Sequence, residues 1–205
     1  MRNTLLATHR AFTLIELLIV VAIIAILAAI AVPNFLEAQT RAKVTRAKAD
    51  MRTLAVATES YIVDNNRYPW PADDEGVNLT SAGGTEFFET RVPTHLTTPI
   101  AYLTSRLNEP FPAKGDREDP QFHYGSRDYH VATEGDAAEF DDLMEVLIRQ
   151  KGTVRYFFLS HGPDLVHNSP DTAESPEGPS LYDPTNGTVS SGDLYYFGPG
   201  RGFTN

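Results

Sequence analysis

The chain has 205 residues, of which 41% are hydrophobic and 21% are charged, a composition typical of one globular domain with an additional segment. Its 27 acidic residues outnumber its 17 basic residues and give a formal net charge of −10, which argues against nucleic-acid binding, because that function requires clustered basic side chains. The sequence contains no cysteine, which excludes disulfide crosslinks, thiolate catalysis and cysteine-ligated metals.

The first element is an apolar run of 21 residues, from Phe12 to Val32, with one charged residue, Glu16. A helix of about 20 apolar residues spans the hydrocarbon core of a bilayer. Favourable insertion of the aliphatic side chains outweighs the cost of one carboxylate near the end of the run. The run therefore predicts a membrane span, with a buried core helix as the alternative. Basic residues flank the run on both sides, so the positive-inside rule leaves its orientation open.

A second helical pattern follows Pro33. Mostly apolar residues recur at steps of three and four and share one helical face: Val44, Ala47, Met51, Leu54, Thr58 and Tyr61. The pattern ends near Asn65, before the two prolines of RYPWP. The sequence thus predicts one long helix from Phe12 to about Asn65, whose second half carries a globular head.

The head is predicted to comprise residues 67–205, and its elements are short. Composition and periodicity predict a loop, a short helix, a strand pair around Gly125, a second helix and two further strands. The loop is residues 73–84, and the short helix lies in 95–103 and begins after Thr97 and Thr98. The strand pair is 121–133, the second helix 136–150, and the two further strands are 153–160 and 193–198. Together they predict an α+β fold, with the long helix packed on a small antiparallel sheet.

The segment RAFTLIELLIVVAIIAILAAIAVPNFLEAQ, residues 10–39, resembles the amino terminus of type IV pilins and of the pseudopilins of type II secretion. Four features share the family's register: a short basic leader, Ala11 before Phe12, Glu16 four residues after Phe12, and Pro33 twenty-one residues after it. The family most often has glycine where this chain has Ala11.

The resemblance implies that a prepilin peptidase cleaves between Ala11 and Phe12 on the cytoplasmic side of the membrane and methylates the amino group of Phe12. Residues 1–11 are then a leader peptide, 12–32 a transmembrane and assembly helix, and 33–66 its amphipathic continuation. The head, residues 67–205, is expected in the periplasm, on a single-pass protein of the inner membrane.

Glu16 and Pro33 have physical roles in such an assembly. The carboxylate of Glu16 is expected to neutralise the amino terminus at Phe12 of a neighbouring copy, because an unpaired charge in a low-dielectric environment is strongly penalised. That pairing would fix the axial step between subunits of a helical filament. Pro33 lacks an N–H donor and is expected to let the helix bend or melt locally. The alternative for Glu16 is a carboxylate that reaches the surface and has no role.

A second resemblance concerns the head. In major pseudopilins a strand that ends in Leu-Ser precedes a calcium-binding loop, and FLSHGPD (158–164) and YDPTNGTVSSGD (182–193) are similar to its two ends. Calcium takes six to eight oxygen ligands. The ligands implied are Ser160, Asp164, Asp183, Asn186 and Asp193. The alternative is a solvated turn region in which the aspartates make ordinary Asx turns.

The histidines do not predict a zinc site. His123 and His130 lie seven residues apart across the predicted strand pair, and His161 and His167 lie in one loop, whereas zinc sites reuse closer spacings. A serine next to a histidine in LSHGPD does not make a catalytic triad either. The sequence offers no catalytic constellation, and we expect a protein that is not an enzyme.

The resemblance implies a structural subunit of a type II secretion pseudopilus. Its expected partners are other copies of the chain, the prepilin peptidase, minor pseudopilins, an inner-membrane platform protein and an assembly ATPase. The first alternative is a type IV pilus subunit with a role in adhesion, motility or DNA uptake. The second is a single-pass anchored protein whose head binds a ligand.

Overall fold

A computed structural model describes residues 12–72, 91–112, 120–149, 152–166, 181–185, 190, 192–200 and 202–203. Contacts within the chain divide it into two units, residues 1–39 and residues 40–205. The predicted loop at 73–84 and Ala11 lie outside the described residues.

Helix α1 extends from Leu14 to Asn65 and continues through Pro33, which confirms the predicted long helix. The next residue, Asn66, terminates it: its φ of 54° is left-handed, and its N–H donates a hydrogen bond of 2.8 Å to the carbonyl group of Ile62. Asparagine adopts this conformation more readily than most residues, so it serves as a helix terminator.

In the first unit, every residue of α1 up to Leu36 is exposed. The large apolar side chains there are 46–81% accessible, with Leu14 the most exposed. Among the described residues, α1 is the one helix long and apolar enough to cross a membrane, although core helices and signal sequences meet the same criterion. None of its most apolar stretch is buried within the chain, as a core helix would be.

In the second unit, α1 buries the face that the sequence predicts. All six residues of that face are buried: Val44, Ala47, Met51, Leu54, Thr58 and Tyr61. The five of them other than Thr58 pack in one core cluster with residues of the sheet, among them Tyr124 and Phe158. The spacing of three and four therefore identified the packing face correctly.

The sheet has four antiparallel strands in the order β1-β2-β3-β4. Their bounds are β1 His123–Ser126, β2 Tyr156–Ser160, β3 Leu194–Gly198 and β4 Gly202–Phe203. Alternate residues face opposite sides of a strand. Accordingly Phe158 belongs to the core cluster with α1, whereas Phe157 and Leu159 belong to a second cluster.

Two further helices follow β1. Helix α2 spans Arg127–Glu134 and helix α3 spans Ala138–Ile148, where the sequence predicts a helix. Phe140 and Met144 of α3 pack in the second core cluster, on Phe157 and its neighbours. The α+β fold, with a long amino-terminal helix and a small antiparallel sheet, is confirmed.

The prediction of two strands in 121–133 is wrong in its second half. Gly125 does not form a turn: it lies inside β1, directly opposite Phe157. The chain then enters α2, which Gly135 ends with a left-handed φ of 91°. The guanidinium group of Arg127 donates two hydrogen bonds of 3.0 Å to the carboxylate of Asp141 and ties α2 to α3. This tertiary contact outweighs the β-propensity of the aromatic residues.

The helix predicted after Thr97 and Thr98 is also wrong. The structure has a single turn of 3-10 helix at Thr94–Leu96 instead. The carbonyl oxygen of Thr94 accepts hydrogen bonds from the backbone N–H and the hydroxyl group of both Thr97 and Thr98. Such local side-chain bonds compete with helix propagation.

Candidate functional site

The first candidate site is the amino-terminal end of α1. The backbone N–H and the hydroxyl group of Thr13 both donate to Oε2 of Glu16, at 2.9 Å and 2.7 Å, and the N–H of Glu16 lies 3.3 Å from Oγ1 of Thr13. This reciprocal arrangement is a capping box, which satisfies N–H groups at the start of a helix. The Thr-x-x-Glu signature of this capping box is visible in the sequence, although the partner expected for Glu16 was the amino terminus of another copy.

Phe12, the residue at the expected cleavage point, precedes this capping box and is 73% exposed. Glu16 therefore lies in the first turn of α1, next to the amino group that cleavage before Phe12 would create. Pro33, the other expected assembly residue, lies within α1 and is exposed. The roles of Phe12, Glu16 and Pro33 stay predictions, and so does that of Ala11, which lies outside the described residues.

The second candidate site is the predicted calcium loop. Its second segment, 182–193, is closed on itself, because the carbonyl oxygen of Asp193 accepts a hydrogen bond of 3.0 Å from the N–H of Tyr182. Gly162 approaches Gly192 so closely that a Cβ atom would overlap the carbonyl oxygen of Gly192, and its φ of 70° also favours glycine. The strand register brings Ser160 opposite Leu194.

The predicted ligands differ in exposure and in their present partners. Ser160 and Asp193 are buried, with 0% and 1% accessibility, whereas Asp183 is exposed. Oδ1 of Asp183 accepts bonds of 2.8 Å and 2.7 Å from the N–H and hydroxyl groups of Thr185, and these bonds, the hydroxyl one foremost, hold the pKa of Asp183 below its usual range. Oδ1 of Asp164 accepts a bond of 3.2 Å from the N–H of Val166. Both carboxylates thus form the Asx turns of the alternative interpretation.

The structure does not gather these carboxylates into one cluster. Within the described ranges, Asp164, Asp183 and Asp193 are not among the groups of three side chains whose ligand atoms lie close enough to hold a metal. Asn186 and residues 167–180 lie outside the described residues, so the loop is described only at its ends. The calcium site therefore stays a prediction.

Sequence reasoning missed a different cluster. Glu109, His123 and His161 are all buried, and one ligand atom of each lies within 4.8 Å of those of the other two. Separations of 14 and 38 residues carry no recognisable spacing signal. His130, which the sequence analysis paired with His123, instead packs on Phe140, with ring centroids 5.9 Å apart. His167 lies outside the described residues.

The residues of the amino-terminal site match a known family model. Residues 6–32 match the prokaryotic N-terminal methylation motif. This match covers the capping box, Glu16 and most of the exposed apolar part of α1. The site and the fold therefore define a pilin-like α+β protein with an N-terminal methylation motif.

Curated relatives agree with this class. The chain is 50% identical over 68 residues to the type IV major pilin protein PilA of Myxococcus xanthus, 33% of this chain and 31% of the relative. It is 48% identical over 58 residues to the type II secretion system core protein G of Pseudomonas aeruginosa, 28% and 41% of the two chains. It is 52% identical over 59 residues to the type IV wide pilus major component PilA4 of Thermus thermophilus, 29% and 45% of the two chains.

The matched segments span less than half of each of these relatives. No solved structure gives a significant match. The methylation motif and the relatives together support a pilin-like or pseudopilin family for this chain.

Proposed function

We propose that the chain is a structural subunit of a type II secretion pseudopilus, which polymerises through its amino-terminal helix to support protein export. The observation that carries the proposal is that every residue from Phe12 to Leu36 is exposed, within and just beyond the methylation motif. An apolar surface of this length needs a cover of lipid or of other apolar helices. Membrane insertion before assembly and helix packing within a filament supply these two covers in turn.

Glu16 sets the axial position of each subunit relative to its neighbour when the helix moves from the membrane into the filament. In the single chain its carboxylate is held by Thr13, which lowers the cost of placing it in lipid. Once the leader is removed, the new amino group at Phe12 is the complementary charge that a neighbouring Glu16 can pair with. A misaligned neighbour would leave both charges unpaired, and the penalty for that selects one axial step.

The partners and the location follow from the same proposal. A prepilin peptidase removes residues 1–11 and methylates Phe12, and an inner-membrane platform protein and a cytoplasmic ATPase drive assembly together with minor pseudopilins. The protein spans the inner membrane once before assembly, and its head lies in the periplasm. Calcium, bound through Asp183, Asp193 and their neighbours, fastens the loop between β2 and β3.

The alternative is a type IV pilus subunit, displayed for adhesion, motility or DNA uptake. Two of the relatives described above carry pilus names, which favours this function, while the one named core protein G favours the pseudopilus. The two assemblies share the processing and pairing of the amino terminus, but they differ in the process that requires them: protein export for a pseudopilus and surface piliation for a pilus. Deletion of the chain should block protein export if it is a pseudopilin and should block surface piliation if it is a pilin.

The decisive first measurement is the intact mass of the protein purified from its native membranes. Loss of residues 1–11 together with one added methyl group is the expected result. A full-length, unmethylated chain would contradict the proposal and favour a single-pass anchored protein. Electron microscopy of sheared cells and assays of exported protein in a deletion strain then separate the two filament functions.

A further inference from the structure

We propose that Glu109, His123 and His161 form a binding site for a divalent transition-metal ion, with Zn²⁺ the best match, in the core of the second unit. The three side chains are buried, and their ligand atoms lie within 4.8 Å of one another. This site is separate from the predicted calcium loop, and it does not depend on the proposed filament function.

Strand pairing brings the two histidines together, and backbone hydrogen bonds add Glu109. His123 begins β1 and is paired with Leu159 of β2, and His161 follows the last residue of β2. In an antiparallel ladder, residues diagonal to one another across two strands lie within reach of long side chains. The segment that contains Glu109 lies beside the start of β1, because the N–H of Glu109 donates a hydrogen bond of 3.0 Å to the carbonyl group of Pro120.

The polar atoms of the cluster already face one another. Oε1 of Glu109 accepts a hydrogen bond of 2.8 Å from the backbone N–H of His161, and Oε2 lies 3.4 Å from Nδ1 of the same residue. The rings of His123 and His161 meet edge to face, with centroids 4.8 Å apart. Two imidazoles and a carboxylate thus surround one point in the structure.

Burial makes the charge of Glu109 energetically costly unless a partner neutralises it. Glu109, His123 and His161 are 3%, 7% and 1% exposed, and the side chain of Glu109 is fully buried. A buried carboxylate is costly unless it is paired or coordinates a metal. A protonated His161 could balance the negative charge of Glu109. The second imidazole within the same 4.8 Å, that of His123, adds a metal-ligand atom that a simple ion pair does not need. A divalent cation satisfies all three groups at once.

The donor set matches zinc chemistry. Two histidines and one carboxylate are known ligands of zinc, and they leave one tetrahedral position for water. Bonds of about 2.0–2.2 Å place tetrahedral ligand atoms roughly 3.4 Å apart. The separation of 3.4 Å between Glu109 Oε2 and His161 Nδ1 already has this value. The longest separation, 4.8 Å, would have to shorten by somewhat over 1 Å when the ion binds.

Such an ion would crosslink three distant parts of the chain. It would join residue 109, the start of β1 and the end of β2 in a protein that has no cysteine and hence no disulfide. Because the site exists only in the folded chain, binding would stabilise the fold by mass action. The expected role is therefore structural.

The test uses the full-length chain in detergent, freed of metal with a chelator and then titrated with Zn²⁺. Calorimetry should give one ion per chain, and the melting temperature should rise with zinc. Glu109→Gln and His161→Gln should each weaken binding by at least about tenfold. His130→Gln is the matched control: this residue is also a buried histidine, 6% exposed, but it lies outside the cluster. Its zinc affinity should equal that of the unaltered chain.

Equal zinc affinity in the unaltered chain and in both ligand variants would overturn the proposal, as would the absence of zinc binding to the unaltered chain. If the ligand variants do not fold, Co²⁺ decides the question in the unaltered chain and in His130→Gln. Both should show the intense visible absorption of four-coordinate Co²⁺, and zinc should abolish it. Absence of this absorption would leave a buried glutamate–histidine pair and no metal site.

Discussion

The hydroxyl group of Tyr156 in β2 donates a hydrogen bond of 2.8 Å to Oε1 of Glu59 in α1. The two residues are 97 positions apart in sequence, so the bond ties the central part of the sheet to the helix that carries it. Burial, followed by this bond to Glu59, raises the pKa of Tyr156 well above its usual value. The phenol is therefore neutral and acts as a donor throughout the physiological range.

Replacing Tyr156 by phenylalanine should lower the free energy of unfolding by about 1–2 kcal/mol, because the half-buried Glu59 loses a donor. Urea denaturation of the full-length chain in detergent measures the change. Tyr196→Phe, on the neighbouring strand, is the control, since the hydroxyl group of Tyr196 forms no hydrogen bond with any described residue. Equal stability of the Tyr156→Phe variant and the unaltered chain would show that water replaces the bond without cost.

Gly125→Ala should destabilise the sheet by about 1–3 kcal/mol, the usual cost of overpacking a core. The reason is close approach: a Cβ atom at this position would overlap the ring of Phe157, which is paired with Gly125 across β1 and β2. The double variant Gly125→Ala, Phe157→Leu should recover part of the loss when compared with Phe157→Leu alone. Additive effects of the two substitutions in urea denaturation would contradict the proposed steric conflict.

The conformation at Gly125 could not be predicted from the sequence. A glycine between aromatic residues suggests a turn, and only the position of Phe157 on another strand reveals that this glycine is needed inside β1. The periodic features were predictable: the buried face of α1, helix α3 and strands β2 and β3 all follow from local patterns. Helix α2 was not, because its bidentate contact between Arg127 and Asp141 is tertiary.

The candidate sites divide in the same way. The amino-terminal motif is continuous in sequence, so its residues could be named before the structure was known. The Glu109, His123 and His161 cluster is discontinuous: strand pairing brings the two histidines together, and Glu109 joins them through hydrogen bonds to Pro120 and His161. A register prediction for β1 and β2 would have placed His123 and His161 near one another, but nothing in the sequence marks Glu109 as their neighbour.

Glu16→Gln should abolish filament assembly without affecting membrane insertion. The amide can still accept hydrogen bonds from Thr13, so the capping box is largely kept while the charge that pairs with a neighbouring amino terminus is lost. Glu16→Ala removes both functions and should fail as well. Membrane fractionation and filament yield are the measurements. Normal assembly of Glu16→Gln, with failure of Glu16→Ala, would assign the role of Glu16 to helix capping and contradict the register proposal.

If a prepilin peptidase cleaves before Phe12 as proposed, Ala11→Leu should leave the leader attached, because the resemblance implies a small residue before the cleavage point. The matched control is Ala11→Gly, which introduces the family's commonest residue and should be processed fully. Mass spectrometry of both variants, coexpressed with the prepilin peptidase, distinguishes the full-length chain from one that begins at a methylated Phe12. Full processing of Ala11→Leu would mean that the cut lies elsewhere.

Calcium should raise the melting temperature of the metal-free, full-length chain by about 5–10 °C at 100 times the dissociation constant. Because a chelator also removes zinc, the two sites are separated by adding one metal at a time to two variants. Asp193→Asn should lose the response to Ca²⁺ and keep that to Zn²⁺, since Asp193 is the buried carboxylate of the predicted loop. Glu109→Gln should show the opposite pattern. A melting temperature of the unaltered chain that does not change with Ca²⁺ would contradict the calcium prediction and leave Asp164 and Asp183 as Asx turns.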